Sequence, residues 1–581
     1  MLPFFRPPLF SPPVNHPTPA IVAQSAVRRI PRIVLLLFCV AYVIPGFPGR
    51  EAWKNADMAA FGFMSQLADG TANWFSPTLL GMAPEQPALL PYWLGAWAIQ
   101  LAPSWMAADF AVRIPFGLLL ALGLTATWYG TYYLARSPEA QPVPFAFGGE
   151  ALPTDYARAI ADGGLLAFIA CLGLAQLSHE TTPALAQLSF SALLFFAISA
   201  MPYRRAGATV TGVLALAGLS LSGAPALALI FGLGASALLA VHAQQHRADR
   251  EHPIAERWQV ASLALAALLT GCISFGFHLW QWKVVALPFA WSTWRGIGEL
   301  LLWFTWPAGA MALWTFWRWR KQLFTSQIHV HLALPAWFVS VGVLASIATG
   351  TSDRTLLLAL PACAALAAFA LPTLKRQMGS LIDWFTLLFF STCGLTIWVV
   401  WIAMQTGFPP QPAANVARLA PGFVSQFSWV ALTAAVLATL AWGWLVKWRV
   451  GRHRQAVWKS LVLPGCGAAL CWLLLMTLWM PLLNYTQSYD ALVNAARTKL
   501  NPTECVQTQL LDQGLAASLV VYGKLDLKAV KAPQTCPWLL SQPDLPFDSG
   551  MVIDETRWEL VDTVRHPADG NEAIAVYRAR P

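Results

Sequence analysis

The chain is 581 residues long, 57% hydrophobic and only 11% charged, with a mean hydropathy of +0.53. Globular chains carry about 25% charged residues, so these figures set aside a soluble enzyme, a coiled coil, a disordered chain, a secreted disulfide scaffold and a nucleic-acid binder. The net charge of +9 needs no acidic ligand if the positive residues sit in cytoplasmic loops, and 29 Trp with 32 Phe suit a bilayer protein whose aromatic rings collect at headgroup depth.

In chain order, residues 1–30 are rich in proline (Pro3, Pro7, Pro8, Pro12, Pro13, Pro17, Pro19) and predict a disordered cytoplasmic tail. Apolar stretches of spanning length then begin near Ile33, Val112, Ala157, Ala184, Gly207, Ala226, Gln259, Leu300, Leu332, Thr355, Phe385, Ser428 and Leu461, about thirteen in all. No A-x-A-like site follows Gly46, so the first reads as an uncleaved anchor. The run Leu89–Ala102 is short and bounded by prolines, which predicts a re-entrant or interfacial segment.

Arg28, Arg29 and Arg32 place the amino end in the cytoplasm. Placing every second loop on that side gathers Arg136, Arg204–Arg205, Arg247–Arg257, Arg318–Lys321, Lys375–Arg376 and Lys447–Lys459, and leaves the carboxyl end outside. The expected architecture is an all-α polytopic body over 31–482, an outer loop at 49–90, and a small α/β domain over 483–581 on the periplasmic side. Within that domain the pattern predicts a helix at Tyr489–Leu500 and strands at Ser518–Tyr522, Trp558–Val564 and Ala573–Tyr577. Cys505 and Cys536 are the only cysteines there, and an oxidising compartment would let them pair. No metal-ligand spacing such as C-x-x-C or H-E-x-x-H occurs.

Chemistry is sought in the outer loops Gly49–Leu90, Gln281–Glu299 and Gln405–Gln426. The first holds Glu51, Asp57 and Glu85 beside Arg50 and Lys54. Carboxylates at a lipid–water boundary are costly unless paired or functional. They could take a proton from an attacking group while the cations steady a departing phosphate, or simply pair with one another in a solvated loop. In the second loop Trp280, Trp282, Trp291 and Trp294 with Lys283 and Arg295 read either as a sugar or lipid-phosphate entrance or as an aromatic belt.

The string Gly49-Arg50-Glu51-x-Trp53-Lys54-x-x-Asp57 and the later Glu85-Gln86-Pro87…Tyr92-Trp93 resemble bacterial GT-C membrane glycosyltransferases related to the lipid A aminoarabinose transferase and the protein mannosyltransferases. Ser178-His179-Glu180, Asp353-Arg354-Thr355…Pro361, Cys536-x-Trp538 and the closing Trp558…Tyr577 follow in the family's order. The resemblance implies sugar transfer from a polyprenyl-phosphate donor to a lipid, glycan or protein acceptor at the outer leaflet of the inner membrane. It implies Asp57 and Glu51 as catalytic carboxylates and Lys54, Arg354 and Arg50 as phosphate ligands, with Glu85, His179 and Glu180 toward the acceptor. No cofactor is implied; some relatives use a divalent ion, and that need stays open. Two departures stand out: the family's first acid falls on Ala56, and the lysine of its Pro-Pro box is Gln86. The same fold retained without catalysis, as a lipid-linked-sugar binding or scaffold protein, is therefore the second reading. A transporter is disfavoured because the acids cluster in loops and no internal repeat is found.

Overall fold

The computed structural model describes residues 18–245, 253–281, 284–450, 456–501, 504–529, 536–543, 553–554 and 556–580. Among these, nine helices are long and apolar enough to cross a bilayer: Ala108–Ala135, Pro183–Ala200, Pro225–Gln245, Arg257–Gly276, Val330–Ala348, Asp353–Thr373, Arg376–Thr406, Trp429–Arg449 and Lys459–Leu478. That is the signature of a multi-pass membrane protein.

The other four expected spans are helical but fall short of that measure. Arg32–Val43 and Arg205–Leu221 are 12 and 17 residues long. Pro153–Ala170 contains Asp155, Arg158 and Asp162, and Asp162 is held by the Trp128 indole N–H at 2.9 Å. The stretch around Leu300 is cut beside Pro307 into Trp291–Thr305 and Ala308–Arg318, since proline removes a helix donor. Leu90–Leu101 is a 12-residue helix, well under spanning length. It packs on the Ala56–Ala68 helix, with Gly95 pressed against the Met64 side chain.

At the middle of the bundle every residue from Leu356 to Ala370 is buried. Its many alanines let neighbouring helices approach closely, as packing inside lipid requires. Trp429–Arg449 lies at the periphery, with Val430, Leu437, Leu440 and Trp444 exposed. At one end of the bundle, the described parts of several of the loops that the charge pattern grouped meet. Ser137–Glu139, Met201–Tyr203, His242 and His331 line a common cavity of about 190 Å³, and the Trp458 indole donates to Arg28 O. The segment 49–90 and the carboxy-terminal domain occupy the opposite end.

Residues 18–30, expected within a disordered tail, are packed instead. Ala20, Val22 and Val27 are buried, Ala20 O and Val22 O accept from Val143 N and Ala151 N, and Gln24 donates to Asp155. The proline bias of the region is concentrated before residue 18, outside the described residues.

In the terminal domain five strands, β1 (Val506–Gln509), β2 (Leu527–Ala529), β3 (Trp538–Ser541), β4 (Trp558–His566) and β5 (Asp569–Ala579), form one sheet in the order β2-β1-β3-β5-β4. β1, β2 and β3 run parallel, while β5 is antiparallel to both β3 and β4. The run Ser518–Tyr522, expected as a strand, is instead the end of the helix Gln513–Val521 and its C-cap Tyr522. Asp512 caps that helix by accepting from Gly514 N, and a short apolar run follows whichever element its neighbours cap. Asp490–Arg497 is helical. Cys505 and Cys536 form a disulfide closing 31 residues between the starts of β1 and β3.

By loop entropy this crosslink should contribute about 2–4 kcal/mol to the terminal domain. Replacing both cysteines by serine should speed amide exchange in β1 and β3 of the full-length protein while leaving residues 356–370 unchanged; equal protection would refute the assignment of stability to the bridge.

Candidate active site

The site forms where four chain segments far apart in sequence meet around one carboxylate. Asn55 adopts a left-handed conformation (φ 62°), and this turns the chain into the Ala56–Ala68 helix, placing Asp57 in its first turn. Asp57 is 1% exposed. Its Oδ2 accepts from Trp53 N at 3.2 Å, and its Oδ1 accepts from both the backbone N and the hydroxyl of Thr181, each at 2.7 Å.

Two guanidinium groups close over the remaining side. Arg50 Nη2 is 3.6 Å and Arg113 Nη2 is 3.8 Å from Asp57 Oδ2, and both arginines are 2% exposed. Arg50 lies over the Trp53 ring at 3.8 Å and donates from Nη1 to His179 O at 3.2 Å. Burial alone would raise the Asp57 carboxyl, but Arg113, Arg50 and the Thr181 bonds outweigh it and hold the group below its ordinary range.

Thr181 belongs to the buried turn Ser178–Thr182 that leads into Pro183–Ala200. Glu180, on the same turn, receives Arg354 Nη2 at 2.9 Å. Arg354 is held in the short Asp353–Leu356 turn, where Ser352 caps Thr355 N, and it sits at the mouth, with its side chain 30% exposed. Burial raises the Glu180 carboxyl, partly countered by Arg354. The two acids thus differ: Asp57 is saturated with donors and firmly ionised, whereas Glu180 takes a proton more readily.

Around this pair three arginines gather. Arg50, Arg113 and Arg354 approach Asp57 and Glu180 within 4 Å, while Asp353 and Glu51 act on Arg354 and Arg113 from further off. Among the described residues, Arg50 Nε and Nη2, Arg113 Nε and Nη1, and Arg354 Nε are buried without a hydrogen-bond partner. Unsatisfied buried donors are expensive, more so when charged. A phosphate, with several acceptor oxygens, would satisfy these donors.

The structure brings Arg50, Asp57, Glu180 and Arg354 together and sends the other expected residues elsewhere. Lys54 Nζ turns away to Glu572 Oε2 at 2.9 Å and Asp569 Oδ2 at 3.5 Å in the terminal hairpin. Glu51 is half-buried beside Ser488, and its carboxyl is raised by burial. Glu85 is exposed on the rim, where its backbone N meets the Gln513 side chain at 3.4 Å. His179 is fully buried among Tyr42, Phe47 and Trp472. Its ring nitrogens lie 2.6 Å from Ala175 O and 3.1 Å from Tyr42 O, and burial pushes its pKa down to about 3. Its ring is taken up by these carbonyls and braces the turn, so the expected acceptor contact from its side chain is not found. In the second outer loop Arg295 pairs with Glu299 on its own helix and Trp291 is exposed, while Trp282 and Lys283 lie outside the described residues.

Arg113 and Thr181 escaped the sequence reading. Arg113 carries a recoverable signal, since it is a lone arginine within the apolar run Ala111-Val-Arg-Ile-Pro115, and an ionisable group there is functional by default. Thr181 has none. Nor do the acids fit a divalent ion. No group of three or more His, Cys, Asp or Glu among the described residues is placed to hold a metal, and both Asp57 oxygens are engaged beside two guanidinium groups.

Behind the turn, an apolar groove of about 390 Å³ lies between Arg376–Thr406 and Lys459–Leu478. Cys171, Ala175, Phe389, Cys393, Cys471 and Trp472 line it, and it opens on the flank of the bundle at the exposed Thr392 and Thr396.

No protein-family model matches the chain, and no curated protein matches it in sequence. Among solved structures, ArnT from Cupriavidus metallidurans bound to undecaprenyl phosphate superposes with a TM-score of 0.57 at 13% identity, covering 94% of this chain and 97% of that one. The chain has the ArnT fold. ArnT in the apo state gives a TM-score of 0.54 at 13% identity and the same coverage. The oligosaccharyltransferase AglB from Archaeoglobus fulgidus, in complex with an inhibitory peptide and a dolichol-phosphate, is far more distant, with a TM-score of 0.31 over 87% of this chain and 69% of that one. The ArnT likeness extends through both the bundle and the terminal domain, so it concerns the whole architecture.

Asp57→Asn would leave Arg50 and Arg113 buried without their counter-charge and should cost about 3–5 kcal/mol, read as a fall in unfolding temperature of the purified protein. Because the folded pKa of Asp57 is depressed, its stabilisation is fully present above the unfolded value of about 3.9 and is lost as pH falls through the folded value. An unchanged unfolding temperature in the variant would show that Asp57 does not organise the arginines.

Proposed function

We propose that this protein is an integral membrane glycosyltransferase that moves a sugar from a polyprenyl-phosphate carrier to a hydroxyl-bearing acceptor such as lipid A or another glycan or protein. In this reading it lies in a bacterial inner membrane, with its amino end cytoplasmic and its terminal domain periplasmic. The observation that carries the proposal is the cluster of buried, unpartnered guanidinium N–H groups around Asp57 and Glu180. ArnT, whose fold this chain has, binds undecaprenyl phosphate.

Arg354 at the mouth meets the carrier phosphate, with Arg50 and Arg113 behind it. Asp57 fixes those two and takes no proton. An acceptor oxygen attacks the anomeric carbon, and the bond from that carbon to the carrier phosphate oxygen breaks. The polyprenyl phosphate leaves with the bonding pair, steadied by the arginines. The acceptor's proton passes to Glu180, which arginine–phosphate pairing releases from Arg354. The prenyl chain occupies the apolar groove, where each buried CH₂ contributes about 0.8 kcal/mol.

The test is release of free carrier from labelled undecaprenyl-phosphate sugar by purified protein. Glu180→Gln should lower release by about 10²–10⁴-fold, while Asp69→Asn, on the exposed end of the Ala56–Ala68 helix, should not. Arg354→Gln should weaken carrier binding about 10- to 100-fold, the worth of a charge-assisted hydrogen bond. Since Glu180 must be ionised to accept a proton and burial raises its pKa, release should climb with pH along a limb above the free glutamate value of about 4.3. Carrier should also slow maleimide alkylation of Cys393 in the groove.

Saturation of Asp57 and the alanine at position 56 favour the second reading, a binding protein without transfer. Carrier binding with no release in the unmutated protein would establish it, and absence of carrier binding would overturn both.

A further inference from the structure

We infer that Lys54 is a positioning residue, its charge committed to the carboxy-terminal hairpin, and that this hairpin sets the segment carrying Arg50 and Asp57. The inference rests on the site proposed above but assigns the lysine and the terminal domain a role apart from phosphate binding.

The Lys54 side chain is only 9% exposed, between Glu572 and Asp569 at the tip of the β4–β5 hairpin. Its backbone N donates to Gln487 O at 2.7 Å. A second contact fixes the same tip. His566 Nδ1 accepts from Ala568 N, so its Nε2 carries the proton and donates to Ser488 O at 3.1 Å. The hairpin therefore grips Lys54 and the chain that follows the last bundle helix together.

Almost every neighbour of Lys54 is held from the same direction. Asn484 is a hub: its Oδ1 accepts from Glu51 N and from the Trp53 indole, and its Nδ2 donates to Gly49 O. Ala52 N donates to the Tyr522 hydroxyl, and the Tyr489 hydroxyl donates to Asn55 Oδ1. Gly514 has no side chain because the Asn55 backbone passes where it would be, with O at 2.9 Å and Cα at 3.1 Å from an added Cβ. Gly62 likewise admits Ala517, so the helix bearing Asp57 lies directly on Gln513–Val521. Residues 49–55 contain no helix or strand of their own. The linker and the terminal domain bond Gly49 O, Glu51 N, Ala52 N and Lys54 N, partners that part-buried backbone requires.

Three consequences separate this role from phosphate binding. Losing either partner of the Lys54–Glu572 pair should have the same effect. Reversing the pair should restore function. Carrier affinity should fall only as far as the 49–57 segment loosens.

The experiment uses the full-length protein in nanodiscs, with deuterium uptake by residues 49–57 and binding of undecaprenyl phosphate as readouts. Lys54→Met and Glu572→Gln should each speed exchange in 49–57 about tenfold or more, as expected for loss of a charge-assisted contact between part-buried groups. The double variant Lys54→Glu with Glu572→Lys should return it to within about threefold of the unmutated protein. Peptides from Leu360–Ala370 report whether the bundle is intact in each variant. The inference is overturned if Glu572→Gln leaves exchange unchanged, or if Lys54→Met weakens carrier binding as strongly as Arg354→Gln while Glu572→Gln has no effect. If the unmutated protein binds no carrier, the glycosyltransferase reading fails, yet the exchange comparison still decides the role of the pair.

Discussion

Removing two guanidinium groups from water is costly, and the structure meets that cost with a single carboxylate. Asp57 offers two oxygens to five donors from four neighbours: Trp53, both donors of Thr181, Arg50 and Arg113. Each neighbour comes from a part of the chain with its own reason to fold, whether the first outer segment, the first long span or the turn before Pro183. None of those parts specifies the others locally. A buried ion cluster is weak evidence for net stability, but it ties register and orientation at one point. Displacement of any of these segments would leave a charge without a partner.

The cluster then separates the duties of its acids. Hydrogen bonds and flanking cations hold Asp57 ionised, whereas Glu180, buried beside one partly exposed arginine, has its carboxyl raised. Acids with different environments take different tasks. On the proposed reading this accounts for the two departures from the family pattern. Ala56 removes an acid, but Glu180 can serve as proton acceptor. Gln86 removes a cation: its backbone O accepts from the Tyr92 hydroxyl, and Arg113 brings positive charge from within the bundle.

Much of the architecture was legible in the apolar runs because a bilayer demands length and little else. All thirteen expected segments are helical, but apolarity does not report continuity, and at Leu300 the Pro307 break decides. A short run such as Leu515–Val521 fits strand or helix until its cap is considered. At the site, Asp57, Arg50, Glu180 and Arg354 were reached through motif order, while Lys54 was given the wrong neighbour. Its partner Glu572 is more than five hundred residues away, and spacing along a loop carries no information about a hairpin closing over it. Arg113 was missed for the opposite reason, because a single charge in a long apolar stretch disappears into an average that rewards hydropathy.

A long outer segment feeding a membrane site faces a conflict. It must leave regular structure to bring Arg50 and Asp57 to the mouth, yet every N–H and C=O it exposes in a part-buried setting requires a partner. The bundle cannot supply these, because its helices consume their own backbone groups. A sheet domain at the same end can, through side chains and loop carbonyls not used in its ladders. Asn484, Gln487 and Tyr522 fill that role here, while Tyr489 and Glu572 hold the side chains of Asn55 and Lys54. The terminal domain is thus less an appendage than the other half of the support for the loop. Its hundred or so residues are a normal domain size, and the contacts that matter come from one hairpin tip, one helix face and the linker. Precision at the arginine cluster therefore depends on a domain that contributes no residue to it.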